Sequence, residues 1–207
     1  MDNTEKTKIF WSKGFFAKLY RRFARKVFFK MHEKVAEQVL AQNPEDVLDI
    51  ACGPGDFLLY LSTLSPNLNL NGTDVARGMV KYARQKLAGR ANIFESNRVD
   101  ESFSENSFDV VTIMMAFHHF PKKLETLQNI KKLLRPKGTI FIVDVIAKSD
   151  LQKKFWNIGE KVIGVRGYVG HYTENDIRVL AAKANLTFST LRIPQMPNRY
   201  MICKFTK

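Results

Sequence analysis

The chain has 207 residues, 45% hydrophobic and 12% aromatic, and carries a formal net charge of +13. That length and apolar content suffice for one compact domain with a large core and exclude a disordered chain. Cys52 and Cys203 are the only cysteines, so a disulfide framework is excluded; with neither a ~18-residue apolar run nor the apolar core of a secretory signal, a cytoplasmic or peripheral membrane location is expected.

In chain order, the first predicted element is a helix over residues 10 to 41. Phe16, Leu19, Phe23, Val27, Met31, Val35 and Val39 recur at three- and four-residue steps and form one apolar stripe, while Lys18, Arg21, Arg22, Arg25, Lys26, Lys30 and Lys34 fill the other faces. Residues 1 to 34 hold ten Lys or Arg against three acids, a surplus of seven, so more than half of the +13 sits here. Three readings stay open. The stripe packs on the following domain and the charges solvate; or residues 10 to 34 lie on an anionic membrane surface, with Phe10, Trp11, Phe15, Phe28 and Phe29 entering the headgroup layer; or, less favoured, the basic face grips the phosphates of a nucleic acid. Residues 1 to 42 are therefore read as a basic amphipathic helical extension and residues 43 to 207 as the main domain.

Further along, strands are predicted over 46 to 50, 68 to 73, 91 to 96, 108 to 114 and 138 to 146, and helices over 56 to 64, 76 to 88 and 121 to 134. A mixed region from 147 to 172 precedes a helix over 173 to 184 and strands over 187 to 193 and 199 to 206. Alternating strands and helices imply a doubly wound α/β fold, a mostly parallel sheet with helices on both faces. Pro194-Gln195-Met196-Pro197-Asn198 is too short for a helical crossover, so the last two strands should be antiparallel.

The densest motif is Val47-Leu48-Asp49-Ile50-Ala51-Cys52-Gly53-Pro54-Gly55-Asp56, an apolar strand running into a glycine turn and a helix whose cap is read as Asp56. The next strand ends at Asp74, nineteen residues after Gly55, where a carboxylate can accept from both hydroxyls of a ribose. Such a corner binds nucleoside cofactors. A dinucleotide fingerprint, however, has a third glycine and a helix N-terminus free to receive a pyrophosphate, whereas here Asp49 and Asp56 flank the turn and would repel one. S-adenosylmethionine has no phosphate and brings a cationic amino group and a sulfonium, so the acid-flanked turn suits it better.

With Val47 to Gly55, Gly72-Thr73-Asp74-Val75 through Met79, Asn106-Ser107-Phe108-Asp109-Val110-Val111, Ala116-Phe117-His118-His119-Phe120 and Leu133-Leu134-Arg135-Pro136-Lys137-Gly138-Thr139 in order, residues 46 to 146 resemble the class I S-adenosylmethionine-dependent methyltransferases. The likeness is to their small-molecule branch, which includes the quinone-biosynthesis methyltransferases. The resemblance implies a Rossmann-like seven-stranded sheet with an antiparallel last strand. It also implies a cofactor site in which Asp49 meets the amino group, Ala51, Cys52, Gly53 and Gly55 form the turn, Asp74 binds the ribose, and Val75 and Met79 pack on the adenine. Met115 is grouped with these residues. Where relatives carry an Asp after the third strand this chain has Asn97, followed by Arg98; an Asn carbonyl can still accept from the adenine amino group.

Methyl transfer from a sulfonium needs chiefly positioning, and a base only where the acceptor must lose a proton. The candidates are His118 and His119 at the end of the fourth strand, of which one should face the acceptor, with His171 and Tyr172 before the late helix. Phe155, Trp156, Ile158, Val162, Ile163, Val165, Tyr168 and Val169 make residues 147 to 172 an apolar lid, and Asp144 either meets substrate or closes the fifth strand. The expected acceptor is a small, hydrophobic molecule, aromatic, quinone-like or lipidic. The alternatives are an RNA methyltransferase that clamps substrate with the basic helix and a non-catalytic methyltransferase-like binding subunit. No Cys or His spacing suits a metal.

Overall fold

The computed structural model describes residues 28–96, 103–163, 170–193 and 200–207, with the side chains of 160–163 outside that description. Helix α1 covers residues 28–40. It is followed by β1 (Asp46–Ile50), α2 (Asp56–Leu64), β2 (Asn69–Asp74), α3 (Arg77–Leu87), β3 (Asn92–Glu95) and β4 (Phe108–Met114). Then come a 3-10 turn (Phe117–His119), α4 (Lys123–Leu133), β5 (Leu134–Val145), α5 (Asp150–Ile163), α6 (Glu174–Lys183), β6 (Thr187–Arg192) and β7 (Tyr200–Thr206).

The seven strands form one sheet in the order β3-β2-β1-β4-β5-β7-β6. Strands β1 to β5 pair parallel with one another, and β7 runs antiparallel between β5 and β6, as its short connection to β6 demanded. The chain leaves β1 toward β2 and β3 and then returns to β4 on the other side, so the carboxyl ends of β1 and β4 form the topological switch point where such sheets bind ligands.

Alternation along the strands divides the core between the two faces. Leu48, Ile50, Val111, Ile113, Ile140 and Ile142 pack with Leu127 and Ile130 of α4 and Ile177 and Ala181 of α6. Val47, Val110, Phe141 and Val143 instead join Phe57 and Leu61 of α2, Val80 and Leu87 of α3, and Met31, Val35 and Val39 of α1. The described part of the N-terminal stripe is thus fully buried in the sheet's own core. Phe16, Leu19, Phe23 and Val27 lie outside the described residues, as do most of the basic positions, so of the three readings only packing is met, and only for residues 28–40.

Three local expectations are corrected. The residue capping α2 is Gly55, at φ 75, with no side-chain cap bond; Asp56 is already helical and pairs instead with Lys86. Strand β5 begins at Leu134, because Leu134 pairs with Phe108 before a bulge restores regular pairing at Val110 and Thr139. Within the mixed region a regular helix, α5, forms over Asp150–Ile163.

Candidate functional site

Two buried acids mark the carboxyl end of β1 and β2. Asp49 is 1% exposed and accepts a 2.7 Å hydrogen bond from Thr112 Oγ1 of β4. Burial pushes its carboxyl up to about 7, against the Thr112 bond, and the nearby charge of Asp74 adds to the rise. Asp74 accepts from the Ala76 amide through Oδ1 at 2.8 Å and from the Gly53 amide through Oδ2 at 2.9 Å. Its carboxyl too is raised by burial, against those two bonds. It therefore secures both the glycine turn and the start of α3.

Between these acids the backbone is forced into left-handed conformation at Ala51 (φ 57) and Gly53 (φ 53), and at the tip of β4 again at Met115 (φ 53). For Ala and Met this costs on the order of 1 kcal/mol each, a strain that concentrates at the switch point. A methyl added at Gly53 would meet nothing within 4 Å, so this residue faces open space, whereas at Gly55 it would lie 2.9 Å from Leu87 Cδ1. Gly55 thus serves the contact between α2 and α3, and the face left clear for a ligand is that of Gly53.

The remaining turn residues divide similarly. The Cys52 thiol is buried and faces Gly72 of β2, while its amide donates to Thr73 O at 2.9 Å; burial raises the thiol well above its ordinary value. Val75 is half-buried next to Asp74, and Met115 is half-buried at the tip of β4. Met79, at 4% exposure, is enclosed in the first turn of α3. Asn97 and Arg98 lie outside the described residues.

The turn fits S-adenosylmethionine on its own chemistry. Asp49 and Asp74 take their hydrogen bonds from a hydroxyl and two backbone amides, and the Asp74 charge disfavours the ionised form of Asp49, so a cationic ligand suits this corner. Among the described residues no group of three His, Cys, Asp or Glu could hold a metal.

A second cluster stands one strand over. The positive φ of Met115 ends β4, and the histidines sit in the 3-10 turn beyond it rather than on the strand itself. Asp144, near the end of β5 and 1% exposed, gathers the group. His118 Nδ1 lies 2.6 Å from its Oδ1, the His118 amide donates to Oδ2 at 2.9 Å, the Val145 amide to Oδ1 at 2.8 Å, and the Tyr172 hydroxyl to Oδ2 at 2.9 Å. Burial by itself would raise Asp144, but the charge and hydrogen bond of His118, with the bonds from Val145 and Tyr172, hold it below the ordinary carboxylate range.

All four predicted histidine and tyrosine positions converge here. The His118 and His119 rings lie 4.1 Å apart, in contact with each other instead of diverging, because the 3-10 turn replaces the strand alternation. His171 stacks on His118 at 5.7 Å, with Trp156 of α5 edge-on to it at 5.1 Å and Asn157 Oδ1 accepting from its amide at 2.7 Å. Tyr172 is buried, burial and the Asp144 charge raise its phenol well above the ordinary value, and its hydroxyl holds Asp144 in place. Lys123, lowered to about 8 by burial against the pull of Asp144, lies 5.6 Å over the Tyr172 ring.

Sequence reasoning missed Thr112, Lys123 and Asn157. Thr112 had a legible signal, being the one hydroxyl in the strand Phe-Asp-Val-Val-Thr-Ile-Met, opposite Asp49 in the β1–β4 register. The other two belong to no motif. The apolar lid is corrected in part: Phe155 and Ile158 are 76% and 62% exposed and point away, while Trp156 and Asn157 turn inward to His171; Val165, Tyr168, Val169 and the side chains of Val162 and Ile163 lie outside the described residues.

Residues 47–138 match the model of a family described as a methyltransferase domain. The demethylmenaquinone methyltransferase of Thermotoga maritima is 30% identical over 118 residues, 56% of this chain and 51% of that one. Its counterpart from Listeria monocytogenes is 26% identical over 134 residues, 60% and 56% of the two chains. The chain thus spans about half the length of these curated relatives. In fold it is similar to the plantazolicin methyltransferase BpumL, solved with a monoazolic desmethylPZN analog and SAH (TM-score 0.73, 20% identity, 99% of this chain and 96% of that one). It is also similar to a SAM-dependent methyltransferase from Aquifex aeolicus (TM-score 0.62, 20% identity, 83% and 88%).

Proposed function

We propose that the chain, whose residues 47–138 match a methyltransferase domain, is a class I S-adenosylmethionine-dependent methyltransferase that methylates a small, hydrophobic acceptor. The observation that carries this reading is the pair of buried acids flanking the open face of Gly53. Asp49 would hold the cofactor's ammonium and Asp74 its ribose, with Val75 and Met115 as half-buried apolar neighbours. Bound there, the cofactor supplies a methyl group already activated by its sulfonium.

The chain's own contribution to the acceptor is the His118–Asp144 pair. With Nδ1–H donated to Asp144, the tautomer of His118 is fixed and Nε2 is left as the acceptor for a proton from an acceptor hydroxyl. The imidazolium so formed would be stabilised by Asp144, which stays ionised. Trp156 and His171 offer flat ring surface beside it, and the similarity to demethylmenaquinone methyltransferases supports an aromatic, quinone-like acceptor.

Isothermal titration with S-adenosylhomocysteine tests the reading. Binding by the wild type that is lost in Asp74→Ala is expected; a folded wild type that binds neither S-adenosylhomocysteine nor S-adenosylmethionine would overturn it.

A further inference from the structure

Helix α5 has two faces with different work. Trp156 and Asn157 turn inward, to His171, and Lys153 anchors the helix to α6 through Asp176 at 2.7 Å. On the opposite side Leu151, Phe155 and Ile158 are 79%, 76% and 62% exposed. Their i, i+4, i+7 spacing places them in one row along the helix. Three large apolar side chains left in water side by side mark a surface that something covers.

The border of this row identifies the partner. Lys148 and Lys154 are both exposed; Lys154 precedes Phe155 on the helix and borders the row at roughly 60°, while Lys148 stands in the bend just before the first turn, which begins at Asp150. Neither makes an ion pair among the described residues, where Lys153 takes both Asp150 and Asp176. A second copy of this chain would set lysines against lysines, and a row three residues long falls well short of the ~1,000 Å² a stable protein interface needs. An anionic bilayer meets both demands, with phosphates for the lysines and the acyl boundary for the side chains.

We propose that α5 docks on the surface of an anionic lipid bilayer through Leu151, Phe155 and Ile158, with Lys148 and Lys154 on headgroup phosphates. Among the described residues no helix is long and apolar enough to cross a membrane, so the contact is interfacial. Resting on the function proposed above, the docking would set the inner face of the same helix, with Trp156, where a lipophilic acceptor leaves the bilayer.

The test is co-sedimentation of the full chain with phosphatidylcholine vesicles, with and without phosphatidylglycerol. The wild type should bind the anionic vesicles, and Phe155→Gln/Ile158→Gln should lower the partition coefficient by at least about tenfold. Lys148→Glu/Lys154→Glu should weaken it to a similar degree. These side chains are exposed, so thermal midpoints should hold and confirm folding. Binding unchanged in both variants would overturn the proposal and assign any lipid affinity to the basic N-terminal residues. No binding by wild type, or a dimer that the apolar substitutions dissociate, would also overturn it. Titration with S-adenosylhomocysteine on the same samples separates this outcome from failure of the methyltransferase reading.

Discussion

Asp49 is held by burial and by Asp74 at about 7, and this has opposite consequences for folding and for binding. The folded chain keeps the proton that the unfolded chain gives up near 3.8, so the neutral carboxyl favours the fold fully below 3.8, and that contribution declines as pH rises toward 7. Binding a cation runs the other way, since only the ionised carboxylate attracts it. Affinity for S-adenosylhomocysteine should therefore rise about fivefold between pH 6 and pH 7, and in Asp49→Asn the profile should be flat and the binding weaker. Titration calorimetry across that range decides it; a flat wild-type profile would place the ammonium elsewhere. At the second cluster, Asp144→Asn removes the charge that fixes the His118 tautomer. Turnover on a hydroxyl acceptor should fall by about 10²-fold while S-adenosylhomocysteine affinity stays unchanged. Loss of both would give Asp144 a merely structural part.

At the scale of elements, α1 carries a pH-dependent contact of its own. His32 lies against Phe57 of α2, with ring centroids 5.6 Å apart. Burial lowers it from 6.5 to about 4, against the pull of Asp56 and with a push from Lys86. The unfolded chain binds the proton first, so stability falls as pH drops from 6.5 toward 4 and is level below that, by at most about 3 kcal/mol. Asp49 has the opposite slope in the same window, so the comparison must be made against His32→Leu, whose stability relative to wild type should improve between pH 7 and pH 4.5 in guanidinium unfolding. That α1 would bury Met31, Val35 and Val39 was legible as a period of three and four, because a helix stripe is a local property. The helix at α5 was not, since four glycines interrupt the stretch 147 to 172 that contains it and its apolar row faces outward instead of joining the core. Gly55 outranks Asp56 as the cap of α2 because the left-handed turn and the packing on Leu87 both need a residue without a side chain. The pairing of His118 with Asp144 was hidden for a different reason. Both residues could be named from the sequence, but their contact depends on β4 lying beside β5, which no local pattern encodes.

Across the whole molecule, stability and binding are anchored at opposite ends of the parallel strands. At the amino ends, Arg135 of β5 joins Asp46 of β1 at 2.6 Å and Asp109 of β4 at 2.7 Å, and Asp109 also accepts from the amides of Glu45 and Asp46. Arg135→Ala leaves Asp109 with those two amides, and the guanidinium is 36% exposed, so the loss should be only about 1 kcal/mol, with S-adenosylhomocysteine affinity unchanged. Toward the carboxyl ends, Gly72 of β2 lies beneath α2, where a methyl would stand 2.7 Å from Leu58 Cδ1, 2.8 Å from Ile93 Cδ1 and 3.0 Å from Cys52 Sγ. Leu58 and Ile93 are buried at 0% and 5% exposure and have little room to retreat, so Gly72→Ala should cost about 1–3 kcal/mol by overpacking. Because Gly72 lies two residues before Asp74 and the added methyl presses on the glycine turn through Cys52, the substitution should weaken cofactor binding as well. Thermal unfolding and calorimetry on the two variants form one experiment. If Arg135→Ala weakened binding as much as Gly72→Ala does, the two ends of the sheet would be coupled and the site would not be confined to the carboxyl edge.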